Sequence, residues 1–120
     1  MGTPAGGVKR SHWVPLLALI WVLLVACGEK FEEKDFIGKW RSSKLTTPIY
    51  LHANGSWEIK TDDGAVLQFG VWRIKDKSIV WTYKVDARVG HDGDPILSST
   101  PREFSVREND GAITTFVKLD

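Results

Sequence analysis

The chain of 120 residues has one cysteine, Cys27, so no disulfide can form within it. Disulfide-stapled scaffolds are excluded, and the fold must rest on a hydrophobic core. Histidine is scarce too, with His12, His52 and His91 the whole supply. Acid–base catalysis most often uses histidine, so there is little material for it. Ser98, Ser99 and Thr100 lack a G-x-S-x-G context, so no nucleophile elbow is present. From Phe36 onward no segment holds a helical period over about ten residues, so there is no helix there for a phosphate-binding glycine loop to open. Neither charge dominates, with 16 bases against 15 acids. That balance argues against nucleic acid as a partner. No enzymatic activity and no cofactor are expected.

The first 26 residues differ from the rest. Lys9 and Arg10 precede an uncharged apolar run, Val14 to Ala26, and the first acid is Glu29. A basic start, an apolar run and small residues in that order read as a secretory signal. A membrane-spanning helix is the weaker reading, because it needs about 20 apolar residues. The lone cysteine lies where the run ends. Leu24-Val25-Ala26-Cys27 resembles the bacterial lipobox. The resemblance implies a diacylglyceryl thioether on Cys27, cleavage before it, and acylation of the new amino group. Sulfur is the nucleophile that this chemistry requires. Each buried CH₂ adds about 0.8 kcal/mol, and two or three chains make anchoring stable. The alternative is an ordinary signal peptide with an incidental cysteine. Gly28 stands where an Asp would signal inner-membrane retention. The expected location is therefore the bacterial cell envelope, lipid-anchored, with the periplasmic face of the outer membrane favoured.

The expected organisation is a lipoprotein signal peptide at 1–26, a lipidated tether at 27–35 and a β-domain at 36–120. Residues 27–120 hold all the acids and carry a formal net charge of −1. The tether, GEKFEEKD from residue 28, is short and charged, with at most one helical turn. Beyond it, strands and turns alternate. Ile79, Trp81, Tyr83 and Val85 share one face by period two, and Thr114, Phe116 and Lys118 oppose Ile113, Thr115, Val117 and Leu119. Turn signals separate the runs: Asn54-Gly55, read as a type I′ hairpin, then Asp63-Gly64, Asp76-Lys77 and Asp110-Gly111. Strands are predicted at 37–43, 46–52, 56–61, 66–74, 78–85, 102–108 and 112–119. The fold class is all-β: after an N-terminal signal helix, a small antiparallel up-and-down meander of about seven or eight strands, closed as a barrel or left as a strongly curved sheet.

Glycine stands two residues before tryptophan in GKWR (38–41), GSWE (55–58) and GVWR (70–73). In a strand the two share a face, so glycine leaves room for a neighbouring ring or a sharp bend. Trp40, Trp57, Trp72 and Trp81 are accordingly read as barrel-filling residues, or as the lining of a ligand cavity.

Phe31, Glu32, Phe36, Gly38 and Trp40 in FEEKDFIGKW resemble the opening signature of the lipocalins. Glu32 stands where that family usually has Asp. The resemblance implies a barrel closed at one end by a short helical turn, with Trp40 packed across it and an arginine stacked on the tryptophan. Arg107 is the candidate for that cation. The chain is shorter than a full lipocalin and lacks the second signature, so the resemblance is to a short lipocalin-like lipoprotein.

The longest predicted loop is ARVGHDGDPILSSTP, 87–101. It holds His91, Asp92 and Asp94, whose spacing fits no zinc site and no calcium loop, so no metal is expected. Asn54-Gly55-Ser56 formally matches a glycosylation sequon and reads as a turn. Two functions follow from different classes. One is a carrier of a small apolar or amphipathic ligand held among Trp40, Trp57, Trp72 and Trp81. The other is a protein-interaction or inhibitor module of the envelope, with a packed barrel and the 86–101 loop as its contact surface. A cavity lined by two or more of these tryptophans favours the carrier.

Overall fold

The structure, a computed structural model, describes residues 30–119. A 3₁₀ turn, Glu33–Asp35, precedes eight strands. They are β1 (Gly38–Ser42), β2 (Ile49–Leu51), β3 (Ser56–Lys60), β4 (Val66–Lys75), β5 (Ser78–Val85), β6 (Arg88–Thr100), β7 (Glu103–Arg107) and β8 (Ile113–Leu119). Each pairs antiparallel with the next, and β1 pairs with β8 from Lys39↔Leu119 to Ser42↔Phe116. The sheet is therefore a closed barrel rather than an open curved sheet, and closure leaves no edge strand unpaired. The core and the pairings that close it lie within Phe31–Leu119, so this unit is a self-contained fold.

The main departure from the sequence reading is β6. The expected loop at 87–101 is a strand, paired with β5 from Ser78↔Pro95 to Val85↔Arg88. Asp86, at φ 55°, turns the chain between the two strands. Its glycines and proline are compatible with a strand for specific reasons. Gly90 opposes Tyr83, and a Cβ there would lie 2.5 Å from the tyrosine ring. Pro95 is exposed and sits just before the irregularity between Ile96 and Ser98, where β6 takes up its pairing with β7. Proline is tolerated in a sheet at such breaks.

The hairpin at Asn54-Gly55 also differs from expectation. Positive φ falls on Gly55 alone, and a type I′ turn needs it at two residues. The same three-residue loop occurs at Ala53-Asn54-Gly55, Asp62-Asp63-Gly64 and Asn109-Asp110-Gly111. In each, the glycine N–H donates to the carbonyl three residues back, at 3.0, 3.0 and 2.9 Å. In each, the middle side chain accepts from the backbone N–H two residues on. Asn or Asp supplies that acceptor and glycine supplies the left-handed φ.

Trp40 and Phe36 are fully buried, and Trp40 Nε1 donates to the Phe36 carbonyl at 2.9 Å. Phe31 packs on the same core, and Glu33 Oε2 accepts from the Ile74 N–H at 3.1 Å. The segment expected as a tether, 27–35, therefore belongs to the folded unit from Phe31 onward. The cation over Trp40 is Lys118, whose Nζ lies 5.7 Å from the ring centroid. Arg107, the expected candidate, is exposed on β7. Strand parity decides this, because Phe104 and Val106 face inward and turn Arg107 outward, whereas Phe116 faces inward with Lys118 on its side.

An aromatic chain runs through the interior. Phe36 meets Phe104 edge-on at 4.9 Å, Phe104 stacks on Phe116 at 4.5 Å, and Trp81 lies 6.3 Å from Phe116. Trp57 meets Trp81 edge-on at 6.1 Å. Gly70 opposes Trp57, and a Cβ there would lie 2.6 Å from the indole nitrogen. In GVWR the glycine thus makes room for a ring on the neighbouring strand β3.

Candidate functional site

The aromatic chain does not fill the barrel. Between its inner layer and the β1–β2 and β7–β8 connections lies a cavity of about 250 Å³. Its apolar walls include Ile49, Trp57, Ile59, Trp81, Tyr83, Val106 and Phe116. The polar lining comes from Ser42, Lys44, Gln68, Asp92, Asp94, Glu108 and Thr114.

Trp57 and Trp81 line this cavity. Trp40 and Trp72 do not. Trp40 is packed in the aromatic plug around Phe36 and Phe104. Trp72 is buried, with Nε1 donating to the His52 carbonyl at 3.2 Å near the β2–β3 turn. Trp57 Nε1 donates to the Thr82 carbonyl at 3.2 Å. Each indole N–H is thus engaged, as buried tryptophan requires. Cys27, with the whole of the expected signal segment, lies outside the described residues. No helix among the described residues is long and apolar enough to cross a membrane.

The alternation of β6 places the polar groups. His91 points outward and shares a hydrogen bond with Thr82 Oγ1 at 3.0 Å, while Asp92, Asp94 and Ile96 turn inward. The three residues of the H-D-G-D stretch therefore do not converge, and no group of three potential metal ligands is found among the described residues. The two aspartates instead become part of the cavity wall.

Asp94 is 4% exposed. Its Oδ2 accepts from Trp81 Nε1 at 3.1 Å, and its Oδ1 has no hydrogen-bond partner. Burial, and then the charge of Asp92, pushes its carboxyl from 3.8 up to about 6. The Trp81 hydrogen bond opposes that rise without cancelling it. Glu108 is in the opposite situation. Lys44 Nζ reaches its Oε1 at 2.7 Å, and the Thr114 hydroxyl donates to its Oε2. These bonds, Lys44 first, hold the Glu108 carboxyl below its ordinary value. Asp92 Oδ1 accepts from Asn109 Nδ2.

The chemistry of the cavity is thus an aromatic pocket with one deeply buried, half-satisfied carboxylate. Sequence reasoning weighed Asp94 only as a metal ligand in the expected loop 87–101, not as part of a barrel wall. The available signal was parity, since Asp92 and Asp94 are in phase with Ile96. Comparison of the chain with known family models, curated proteins and solved structures gave no match.

Proposed function

We propose that this protein is a lipid-anchored lipoprotein of the bacterial cell envelope, held by acyl chains on Cys27, and that its lipocalin-like barrel binds a small amphipathic molecule. It acts as a carrier or receptor rather than as an enzyme. The observation that carries the binding function is the cavity of about 250 Å³ walled by Trp57 and Trp81. An apolar cavity of about 150 Å³ accommodates benzene, so this one suits a single ring with a short substituent. The location rests on the Leu24-Val25-Ala26-Cys27 motif.

Native mass spectrometry of the protein from Gly28 onward, exported to a bacterial periplasm and purified without detergent, tests the binding function. A reproducible extra mass that is lost on Trp81→Ala is the expected result. A bare mass, together with no change in tryptophan fluorescence on adding small aromatic compounds, would overturn it.

A second reading draws on the outside of the barrel. Leu67, Phe69 and Val71 alternate along the outer face of β4 and are 61%, 68% and 52% exposed. Three large apolar side chains in a row on a solvated face are a feature of interaction surfaces. An interaction module would use this strand face, because residues 88–100 form a barrel strand rather than a contact loop.

A further inference from the structure

The lining of the cavity specifies more than size. Asp94 is more than nine-tenths buried, and its Oδ1 is the one buried side-chain oxygen or nitrogen among the described residues without a hydrogen-bond partner. Buried polar groups are nearly always satisfied, so an orphaned carboxylate oxygen in a cavity wall marks the place of a missing donor. Two further acids, Asp92 and Glu108, share the lining with it. The cation there, Lys44, is engaged by Glu108 at 2.7 Å. Two carboxylates, Asp92 and Asp94, are left without a compensating positive charge in the lining.

Each ligand class meets a different outcome at this site. An anion would face both carboxylates, and like charges repel it. A neutral apolar molecule would fill the volume and leave Oδ1 unsatisfied. A bare metal ion lacks three converging ligands here. An organic cation satisfies both requirements at once, because its nitrogen donates a charge-assisted hydrogen bond and its carbon body covers the aromatic wall. Trp57, Trp81, Tyr83 and Phe116 present ring surfaces in the same space, where a cation also gains from the ring quadrupole.

We infer that the ligand of this cavity is a small organic amine, a ring or short chain bearing a protonated nitrogen that binds the free oxygen of Asp94, and this inference rests on the cavity being a ligand site. The experiment is titration calorimetry near pH 7.5 on residues 28–120, which contain the whole barrel. The probes are 2-phenylethylamine, 2-phenylethanol and 3-phenylpropionate, which share a ring and a two-carbon arm and differ in the head group. The amine binds about tenfold tighter than the alcohol or better, and the carboxylate binds weakest. In Asp94→Asn the amine falls to the level of the alcohol, while the affinity for the alcohol stays within about threefold. Asp92→Asn, which keeps Asp94 and the contact to Asn109, lowers the preference for the amine by about threefold. That variant decides the matter should Asp94→Asn fail to fold. An alcohol that binds as well as the amine, or a preference that neither substitution reduces, overturns the amine assignment and leaves the carrier function standing. If none of the probes binds at concentrations up to about 10 mM, the carrier function fails and the amine assignment fails with it.

Discussion

Asp94→Asn is expected to make the ligand-free barrel more stable, and the gain should depend on pH. In the unfolded chain the carboxyl titrates near 3.8, and in the barrel near 6. Between those values the unfolded chain has released a proton that the folded chain still holds. Stability therefore falls as pH rises through that window. The shift is roughly two units at about 1.4 kcal/mol each, which sets a ceiling of about 3 kcal/mol. Water entering through the cavity mouth screens part of this, so a gain of between about 1 and 3 kcal/mol above pH 6 is expected. Asparagine keeps the shape and an oxygen for Trp81 but carries no charge. The assay is urea unfolding of both proteins at a series of pH values between 3.5 and 8, followed by tryptophan fluorescence. The two curves should coincide near pH 3.5, diverge between pH 4 and 6, and run parallel above. Equal stability at pH 8, or a difference that does not vary with pH, would show that Asp94 is not an uncompensated buried charge.

Glu108→Gln should act in the opposite sense. It removes a carboxylate that Lys44 and Thr114 stabilise, so it should cost about 1 kcal/mol at neutral pH. That cost should disappear in acid, as the wild-type Glu108 takes up its own proton, and the same urea series measures it. Gly70→Ala places a methyl 2.0 Å from the Thr82 carbonyl oxygen, so the backbone must move. A loss of about 3 kcal/mol or more is expected by thermal or urea unfolding. Trp40→Ala opens a void beside Phe36 and Phe104 and should cost about 3–5 kcal/mol without changing probe selectivity in the cavity. Cys27→Ser should move the protein from the detergent phase to the aqueous phase in a partitioning assay; continued detergent partitioning would refute the lipid anchor.

Much of the fold was present in local pattern. Period-two alternation in IVWTYKV placed Ile79, Trp81, Tyr83 and Val85 on one face; the first three point inward in β5, whereas Val85, at its end, is exposed. The turn positions at Gly55, Gly64 and Gly111 were legible because asparagine, aspartate and glycine have specific backbone roles there. The all-β class followed from the lack of any helical period. The turn type was not legible at Gly55, because a dipeptide does not report the residue that precedes it in the loop.

The sequence by itself determined strand periodicity, the turns and the enrichment of tryptophan in the interior, since each depends on residues close together in the chain. Tertiary structure alone decided closure, because the pairing of Lys39 with Leu119 joins residues far apart in sequence. It decided that residues 88–100 are a strand, since Gly90 and Pro95 are acceptable only against the partners they meet in space. It also decided which tryptophans face the cavity and which cation covers Trp40. Above all it decided the role of Asp94. An aspartate beside glycines is a turn former when solvated, and it becomes an unpaired buried charge only when the barrel closes around it.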